Sequence, residues 1–290
     1  PRSNLFFRTF ACDSILQVLS MTRQTLISLF ALSWLLLTSS CAEYMRIQKS
    51  KDPTLRYSYA KKYYNEGKYG RVAELMVDVL PHYEGTQEGA QALYIMADAL
   101  LQNKQESSAA EYFRRLYSKY PQDPRAAEAH YKTGLALYRI APDPRLDQSV
   151  TYSALKELQS YLEAYPQSEH RKEVEQMLFD LQDNLAKKEL ITADLYYNLG
   201  TYLGNNYISA IITARNALKA YPYTKHREDL LFIIVEASYQ QAMNSVESKK
   251  QGRLREVIDA YYNYENAFPE GKHIKRAKTL RDRAQRMIVS

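Results

Sequence analysis

Apolar residues recur along most of the chain at intervals of three and four, the spacing of one buried face on an α-helix. Proline ends a helix because it lacks an amide hydrogen and clashes with the preceding turn. Prolines that follow an aromatic residue interrupt the apolar runs at Tyr120-Pro121, Tyr165-Pro166, Tyr221-Pro222 and Phe268-Pro269. Residues that cap helix starts follow three of these prolines: Asp123, Ser168 and Thr224. The pattern predicts an all-α chain of helices separated by proline turns.

Small side chains mark an internal repeat in this pattern. Counting back twelve residues from the four prolines gives Ala109, Ala154, Ala210 and Val257, and small residues let two helices approach closely. No alternating strand pattern is present. The segment 92–121 resembles the tetratricopeptide (TPR) repeat at Ala97, Leu100, Ala109, Phe113 and Pro121. The resemblance implies an all-α TPR helix-turn-helix solenoid of about five repeats with a C-terminal capping helix.

The predicted solenoid occupies residues 53–290. Its repeats lie near 53–83, 87–120, 124–165, 170–221 and 225–268, and a final helix over 272–289 caps the array. The third repeat carries an insertion, residues 139–151, between its helices, and the fourth has an extended first helix around 170–203. Helix pairs of this kind bury apolar surface only against their neighbours, so we expect a curved array whose groove is lined by first helices.

The first 40 residues have the order of a targeting segment. We interpret residues 1–20 as an upstream over-extension of the reading frame. Residues 21–40 place Arg23 before an apolar run, which small residues follow up to Cys41, as in a signal peptide. The cysteine predicts a lipoprotein, with a diacylglycerol and an N-acyl chain on Cys41 and a lipidated linker over 41–52. Thr38 stands where that pattern prefers leucine, and a signal-anchor helix or plain secretion is the alternative.

Charge and motifs exclude several function classes. The net charge of the sequence is +6, which is far below the charge density of a nucleic-acid-binding protein. The sequence contains no HExxH, GxSxG or glycine-rich phosphate loop, so we predict no catalytic residues, no metal and no enzyme. His170, His226 and His273 each follow a repeat proline by four residues. We interpret them as equivalent positions on separate helices rather than as metal ligands.

Two surfaces are candidates for partner binding. Repeat position predicts an N-terminal groove whose aromatic and polar side chains suit an extended peptide, although several of its tyrosines could instead pack between helices. Its predicted members are Tyr57, Lys61, Tyr64, Gln91, Tyr94 and Leu101. The last helix is strongly basic and suits an acidic partner or anionic lipid headgroups, or forms a solvated cap. Its predicted interface residues are Lys272, Lys275, Arg276, Arg281 and Arg283.

The segment LDQSVTYSALKELQSYLEAYPQS (146–168), with the lipoprotein signal and five repeats, resembles the BamD family over about residues 44–288. These are TPR lipoproteins of the outer-membrane β-barrel assembly machinery, and this version is similar to those of Bacteroidota. The resemblance implies a scaffold on the periplasmic face of the outer membrane, anchored through Cys41 and without a cofactor other than its acyl chains.

The resemblance also implies partners. C-terminal repeats would bind the barrel-forming assembly subunit (BamA-type), and N-terminal repeats would receive unfolded outer-membrane proteins, with no nucleic acid involved. The alternative is a TPR lipoprotein that coordinates peptidoglycan or cell-envelope machinery; a glycan-capture lipoprotein of nutrient uptake ranks lower.

Overall fold

The computed structural model describes residues 43–289, so the predicted over-extension (1–20), the predicted signal peptide (21–40) and Cys41 lie outside the described residues. Within this range every regular element is an α-helix, and the all-α fold class is confirmed. A short helical segment over 43–48 precedes eleven longer helices. These are α1 (Pro53–Asn65), α2 (Tyr69–Tyr83), α3 (Gly89–Gln102), α4 (Glu106–Lys119), α5 (Ala126–Arg139), α6 (Ser149–Ala164), α7 (Arg171–Leu199), α8 (Asn206–Ala220), α9 (Arg227–Met243), α10 (Glu247–Ala267) and α11 (Ile274–Val289).

Contacts between helices divide the described residues into two compact units, of which the first ends at Asn103 and the second begins at Lys104. In the first unit, α1, α2 and α3 pack one against the next. In the second unit each helix from α4 to α10 contacts the following one, and α9 also contacts both α7 and α11. Packing of consecutive helix pairs in this way is typical of a TPR-type array. The division falls inside the predicted second repeat, 87–120, and the repeat boundaries stay predictions.

Polar side chains two residues after the repeat prolines form hydrogen bonds with the backbone at the start of the next helix. In each case the side chain accepts a hydrogen bond from the backbone amide of the residue just before helix α5, α7 or α9. The contacts are Asp123 Oδ1 with the amide of Arg125 at 2.9 Å, Ser168 Oγ with that of His170 at 3.0 Å, and Thr224 Oγ1 with that of His226 at 3.1 Å. These bonds satisfy amides that a helix start leaves without a backbone partner.

The small residues of the repeat pattern lie in the core of the second unit. Ala109, Ala154, Ala210 and Val257 are fully buried, as close helix approach requires. Gly134 on α5 is a further close approach: a Cβ added there would lie 2.4 Å from Leu158 Cδ2 on α6. The positions that the sequence marks as small are therefore sites where two helices touch.

Helix α7 is the longest element of the described chain, with 29 residues against 14 to 21 for the other helices of its unit. At 1.5 Å per residue it extends for about 43 Å. It ends at a turn over 200–205 that leads into α8. The predicted insertion of the third repeat appears as a non-helical stretch, residues 140–148, between α5 and α6.

Candidate functional site

The predicted N-terminal groove residues all lie in the first unit, but two of them do not face an open groove. Tyr57 and Leu101 are buried, with exposed fractions of 2% and 4%. The Tyr57 ring packs against Tyr83 at the end of α2, with ring centroids 4.6 Å apart. The expectation that both side chains line an open surface therefore does not hold, because burial of large apolar side chains between helices is strongly favoured.

The other four predicted groove residues keep accessible surface. Gln91 is exposed, and Lys61, Tyr64 and Tyr94 are half-buried. The ammonium of Lys61 lies 4.4 Å from the Tyr57 ring centroid, a cation–π distance. The structure thus gives this face of the first unit one cation, one amide and two aromatic side chains that a peptide can reach.

A polar pair that the sequence analysis missed fixes one of these tyrosines. The hydroxyl of Tyr64 donates to Asp98 Oδ2 at 2.7 Å, and Asp98 is 5% exposed. Burial raises the pKa of the Tyr64 phenol, and the hydrogen bond to the Asp98 carboxylate raises it further, so the phenol remains a donor. A carboxylate in the middle of the otherwise apolar α3 is the sequence signal that identifies this pair.

Some basic residues of the last helix contact other side chains of the second unit, and others do not. Arg276 Nε lies 3.3 Å from Glu236 Oε1 on α9, and the Arg281 guanidinium lies over the Tyr261 ring at 4.6 Å from its centroid. Lys275 and Arg283 are exposed, and neither forms an ion pair with any described residue. Of the predicted interface, these two cations are the ones that a partner can reach without breaking an internal contact.

Asp229 on α9 holds the start of the last helix. Its Oδ1 lies 2.7 Å from Lys272 Nζ and 2.9 Å from His273 Nε2. Burial alone would raise the pKa of Asp229, but the hydrogen bonds from Lys272 and His273 hold it below the ordinary value. The same hydrogen bond raises the pKa of Lys272. Lys272 is therefore part of the internal structure of the second unit as well as of its basic surface.

The three repeat histidines each join the start of one helix to a carboxylate on an earlier helix. We call these contacts the histidine–carboxylate links. They are His170 with Glu128 at 3.3 Å, His226 with Asp183 at 3.6 Å and His273 with Asp229 at 2.9 Å. Two of the histidine rings also stack on an aromatic ring, His170 on Tyr131 at 3.9 Å and His273 on Phe232 at 4.1 Å. The three histidines occupy equivalent positions at helix starts, as the sequence predicts, and each contacts a helix that precedes its own.

Cavities in the described part of the second unit include two of several hundred Å³. One, of about 540 Å³, lies beside the proline turn between α6 and α7, with Tyr161 and Tyr165 among its lining residues. The other, of about 480 Å³, is lined by apolar side chains of α7 and α9 and by charged ones. Its lining includes Leu190, Ile191, Phe232 and Ile233 together with Arg145, Asp194, Asp229 and Glu236. Both volumes are in the range of ligand-binding clefts. The sequence predicted neither, since their linings come from separated segments.

Neither a metal-binding cluster nor a membrane-spanning helix occurs in the part of the chain that the structure describes. Among residues 43–288, no group of three or more histidine, cysteine, aspartate or glutamate side chains is arranged to hold a metal ion. No helix of the described range is both long and apolar enough to cross a membrane.

Comparisons with known proteins identify a family and a relative that the chain resembles. The family model described as "YfiO: Outer membrane lipoprotein" matches residues 49–254, and its match covers parts of both units. The outer membrane protein assembly factor BamD of Caulobacter vibrioides is 24% identical to the chain over 230 residues, which is 73% of each of the two chains. The matched span contains the surface of the first unit, and it ends within α10, before the last helix.

Proposed function

Because the chain belongs to the YfiO family of outer membrane lipoproteins, we propose that it is a lipid-anchored scaffold of the outer-membrane β-barrel assembly complex. The observation that carries the proposal is the family match over residues 49–254. The similarity to an outer membrane protein assembly factor supports it. A helix-pair array presents surfaces for binding without a catalytic cluster, which agrees with a scaffold that is not an enzyme.

The anchor in this proposal is Cys41. Acylated with a diacylglycerol and an N-acyl chain, it holds the chain on the periplasmic face of the outer membrane. Each buried CH₂ contributes roughly 0.8 kcal/mol, so several acyl chains make attachment effectively permanent. The absence of a membrane-spanning helix from the described residues is compatible with attachment through lipid.

The two surfaces then take separate roles in the proposal. The surface around Lys61, Tyr64, Gln91 and Tyr94 receives the end of an unfolded outer-membrane protein, where half-buried aromatic rings and a fixed phenol suit an extended peptide. The free cations Lys275 and Arg283 contact acidic groups of the barrel-forming assembly subunit. Charged residues at the rim of an interface act mainly on the rate and specificity of association.

Co-purification tests the proposal directly. The chain is tagged at its C-terminus, outer membranes are solubilised in mild detergent, and the partners are identified by mass spectrometry. We expect a barrel-forming membrane protein with periplasmic domains, and a photoreactive residue at Gln91 should crosslink to unfolded barrel proteins. Recovery of peptidoglycan enzymes or division proteins instead would reject the assembly role and favour the cell-envelope alternative.

A charge-reversal pair tests the partner surface. Lys275→Glu with Arg283→Glu should weaken recovery of the assembly subunit about fivefold, because two screened ion pairs of about 0.5 kcal/mol each contribute about 1 kcal/mol together. Lys249→Glu with Arg255→Glu is the matched control, because both residues are exposed cations on α10 that pair with no acid among residues 43–289. Equal recovery from the two double variants would show that the last helix is a solvated cap.

A further inference from the structure

The tip formed by the end of α7, the following turn and the start of α8 is free of charge. We call residues 195–212 the α7–α8 tip. No charged residue occurs between Asp194 and Arg215, in a chain whose charged residues make up 25% of the sequence. Six large apolar side chains of the tip are exposed: Leu195, Leu199, Tyr202, Leu203, Ile208 and Ile212. Exposed apolar side chains grouped in this way mark a site that binds a protein or a membrane.

The turn is built so that two of these side chains stand out from its apex. Tyr202 and Leu203 are 67% and 91% exposed. Backbone hydrogen bonds close the turn beneath them, from the Asn206 amide to the Gly200 carbonyl at 2.9 Å and from the Tyr202 amide to the Leu199 carbonyl at 3.0 Å. The backbone of the apex is therefore folded and hydrogen-bonded, and both side chains project from it into solvent.

Leu203 occupies a backbone conformation that disfavours leucine. Its φ is +53°, in the left-handed region where glycine and asparagine are the least strained residues. The side chain of Leu203 lies in water, so side-chain packing does not explain why leucine occupies this backbone conformation. Backbone strain of this type is concentrated at sites of function, and at this position the side chain faces outward.

We propose that the α7–α8 tip inserts Tyr202 and Leu203 into the interface of the lipid bilayer to which the chain is anchored. A tip without charged groups enters the headgroup region without stripping water from an ion. Tyrosine is enriched at the membrane–water interface, and leucine at the apex can reach the acyl boundary. The anchor keeps the bilayer at a high effective concentration, so a small apolar contact is sufficient.

A protein partner or a second copy of the chain fits the tip less well. Stable protein interfaces bury about 1,200–2,000 Å² in total, which two side chains at the apex of one turn do not approach. The tip also has no charge with which to select a partner. The inference rests on the membrane attachment in the proposed function but on none of the protein partners proposed there.

Fluorescence quenching in vesicles tests the insertion. The single tryptophan of the sequence, Trp34, lies in the predicted signal peptide, so the lipidated chain that begins at Cys41 contains no tryptophan and accepts one reporter. The lipidated chain is reconstituted in vesicles of phosphatidylethanolamine and phosphatidylglycerol, with or without bromine on the acyl chains. Leu203→Trp should lose emission in the brominated vesicles. Tyr223→Trp, an exposed position in the turn at the opposite end of α8, should lose none.

A second pair of variants separates insertion from misfolding. With the reporter at Ile208→Trp, adding Leu203→Asn should lower the bromolipid quenching about tenfold, given the apolar surface that one leucine buries. Asparagine suits the left-handed backbone, so the melting temperature should stay equal or rise. Tyr223→Ser is the matched control and should leave the quenching unchanged.

Three results would overturn the inference. The first is no quenching at position 203, and the second is equal quenching at positions 203 and 223, which means that the whole chain lies on the lipid. The third is self-association through the tip without lipid contact. Because these vesicles contain lipid and this chain alone, the outcome does not depend on the assembly partners, which co-purification tests.

Discussion

Replacing Asp229 by asparagine should loosen the last helix while the shape of the side chain is kept. The carboxylate binds Lys272 Nζ and His273 Nε2 at 2.7 and 2.9 Å, and thereby joins the start of α11 to α9. Asparagine retains one acceptor oxygen but removes the charge. The change therefore isolates the charge-assisted part of the two contacts.

The expected loss is about 1 kcal/mol. Hydrogen bonds to charged groups contribute about 1.5–3 kcal/mol, against about 0.5–1.5 kcal/mol for neutral ones. Solvent screens part of that difference, because the side chains of Asp229 and Lys272 are 29% and 58% exposed. Since helices of a repeat array contact only near neighbours, the loss should be confined to α11 and the helices that it touches.

Hydrogen exchange of the α11 amides measures this loss. One kcal/mol corresponds to about fivefold faster opening, whereas amides of α5 should be unchanged. Asp259→Asn is the matched control, because Asp259 is an exposed residue of α10 whose side chain forms no hydrogen bond or ion pair within the described chain. Equal exchange in the two variants, or faster exchange throughout the second unit, would refute the assigned role of Asp229.

The acid dependence gives a second check on the same contacts. The pKa of Asp229 is lowered in the folded chain, so its contribution is complete above the ordinary aspartate pKa of about 3.9 and is lost as the pH falls through the lower folded value. The pKa of Lys272 is raised, so its contribution is complete below its ordinary value and is lost at alkaline pH. The difference between the Asp229→Asn chain and the parent should therefore shrink in acid. A difference in melting temperature that stays constant down to about pH 2 would contradict the assignment.

Two further predictions concern the second unit. Gly134→Ala should destabilise it by about 1 kcal/mol in urea unfolding, because the overlap with Leu158 at 2.4 Å costs about 1–3 kcal/mol and exceeds the gain in helix propensity of about 1 kcal/mol; an unchanged midpoint would mean that Leu158 moves aside. Burial lowers the pKa of His130, so the unfolded chain binds more protons and stability should rise with pH between about 5 and 7. His130→Gln should flatten that slope in thermal unfolding, whereas His82→Gln, at an exposed position, should not.

The fold could be predicted from the sequence because its signals are local. Proline and the capping side chains act within a few residues, and Ser168 and Thr224 bind the amides expected of them. The repeat alanines were identified by counting from the prolines, and Ala109 and Ala210 are fully buried. Signals of this kind can be recognised without knowledge of the tertiary structure.

The binding surfaces could be predicted only in part because burial depends on distant neighbours. Tyr57 has the repeat position of a groove residue, but it packs against Tyr83, 26 residues away. Asp98 meets Tyr64 across 34 residues. The basic helix was recognised from its composition, but composition does not show that Arg276 is held by Glu236, 40 residues away.

The histidine–carboxylate links are alike from one junction to the next. Each link places its histidine at the start of one helix pair or of the last helix, and its acid on the preceding pair, across 42 or 44 residues in two of the links. Removing the predicted fourth repeat, 170–221, would delete His170 and Asp183 and leave the carboxylate of Glu128 and the imidazole of His226 on the two sides of the new junction. The remaining pair has the same chemistry as the pairs that were lost, so the links are compatible with the loss or gain of whole repeats. A change in length by part of a repeat would instead separate an acid from its histidine.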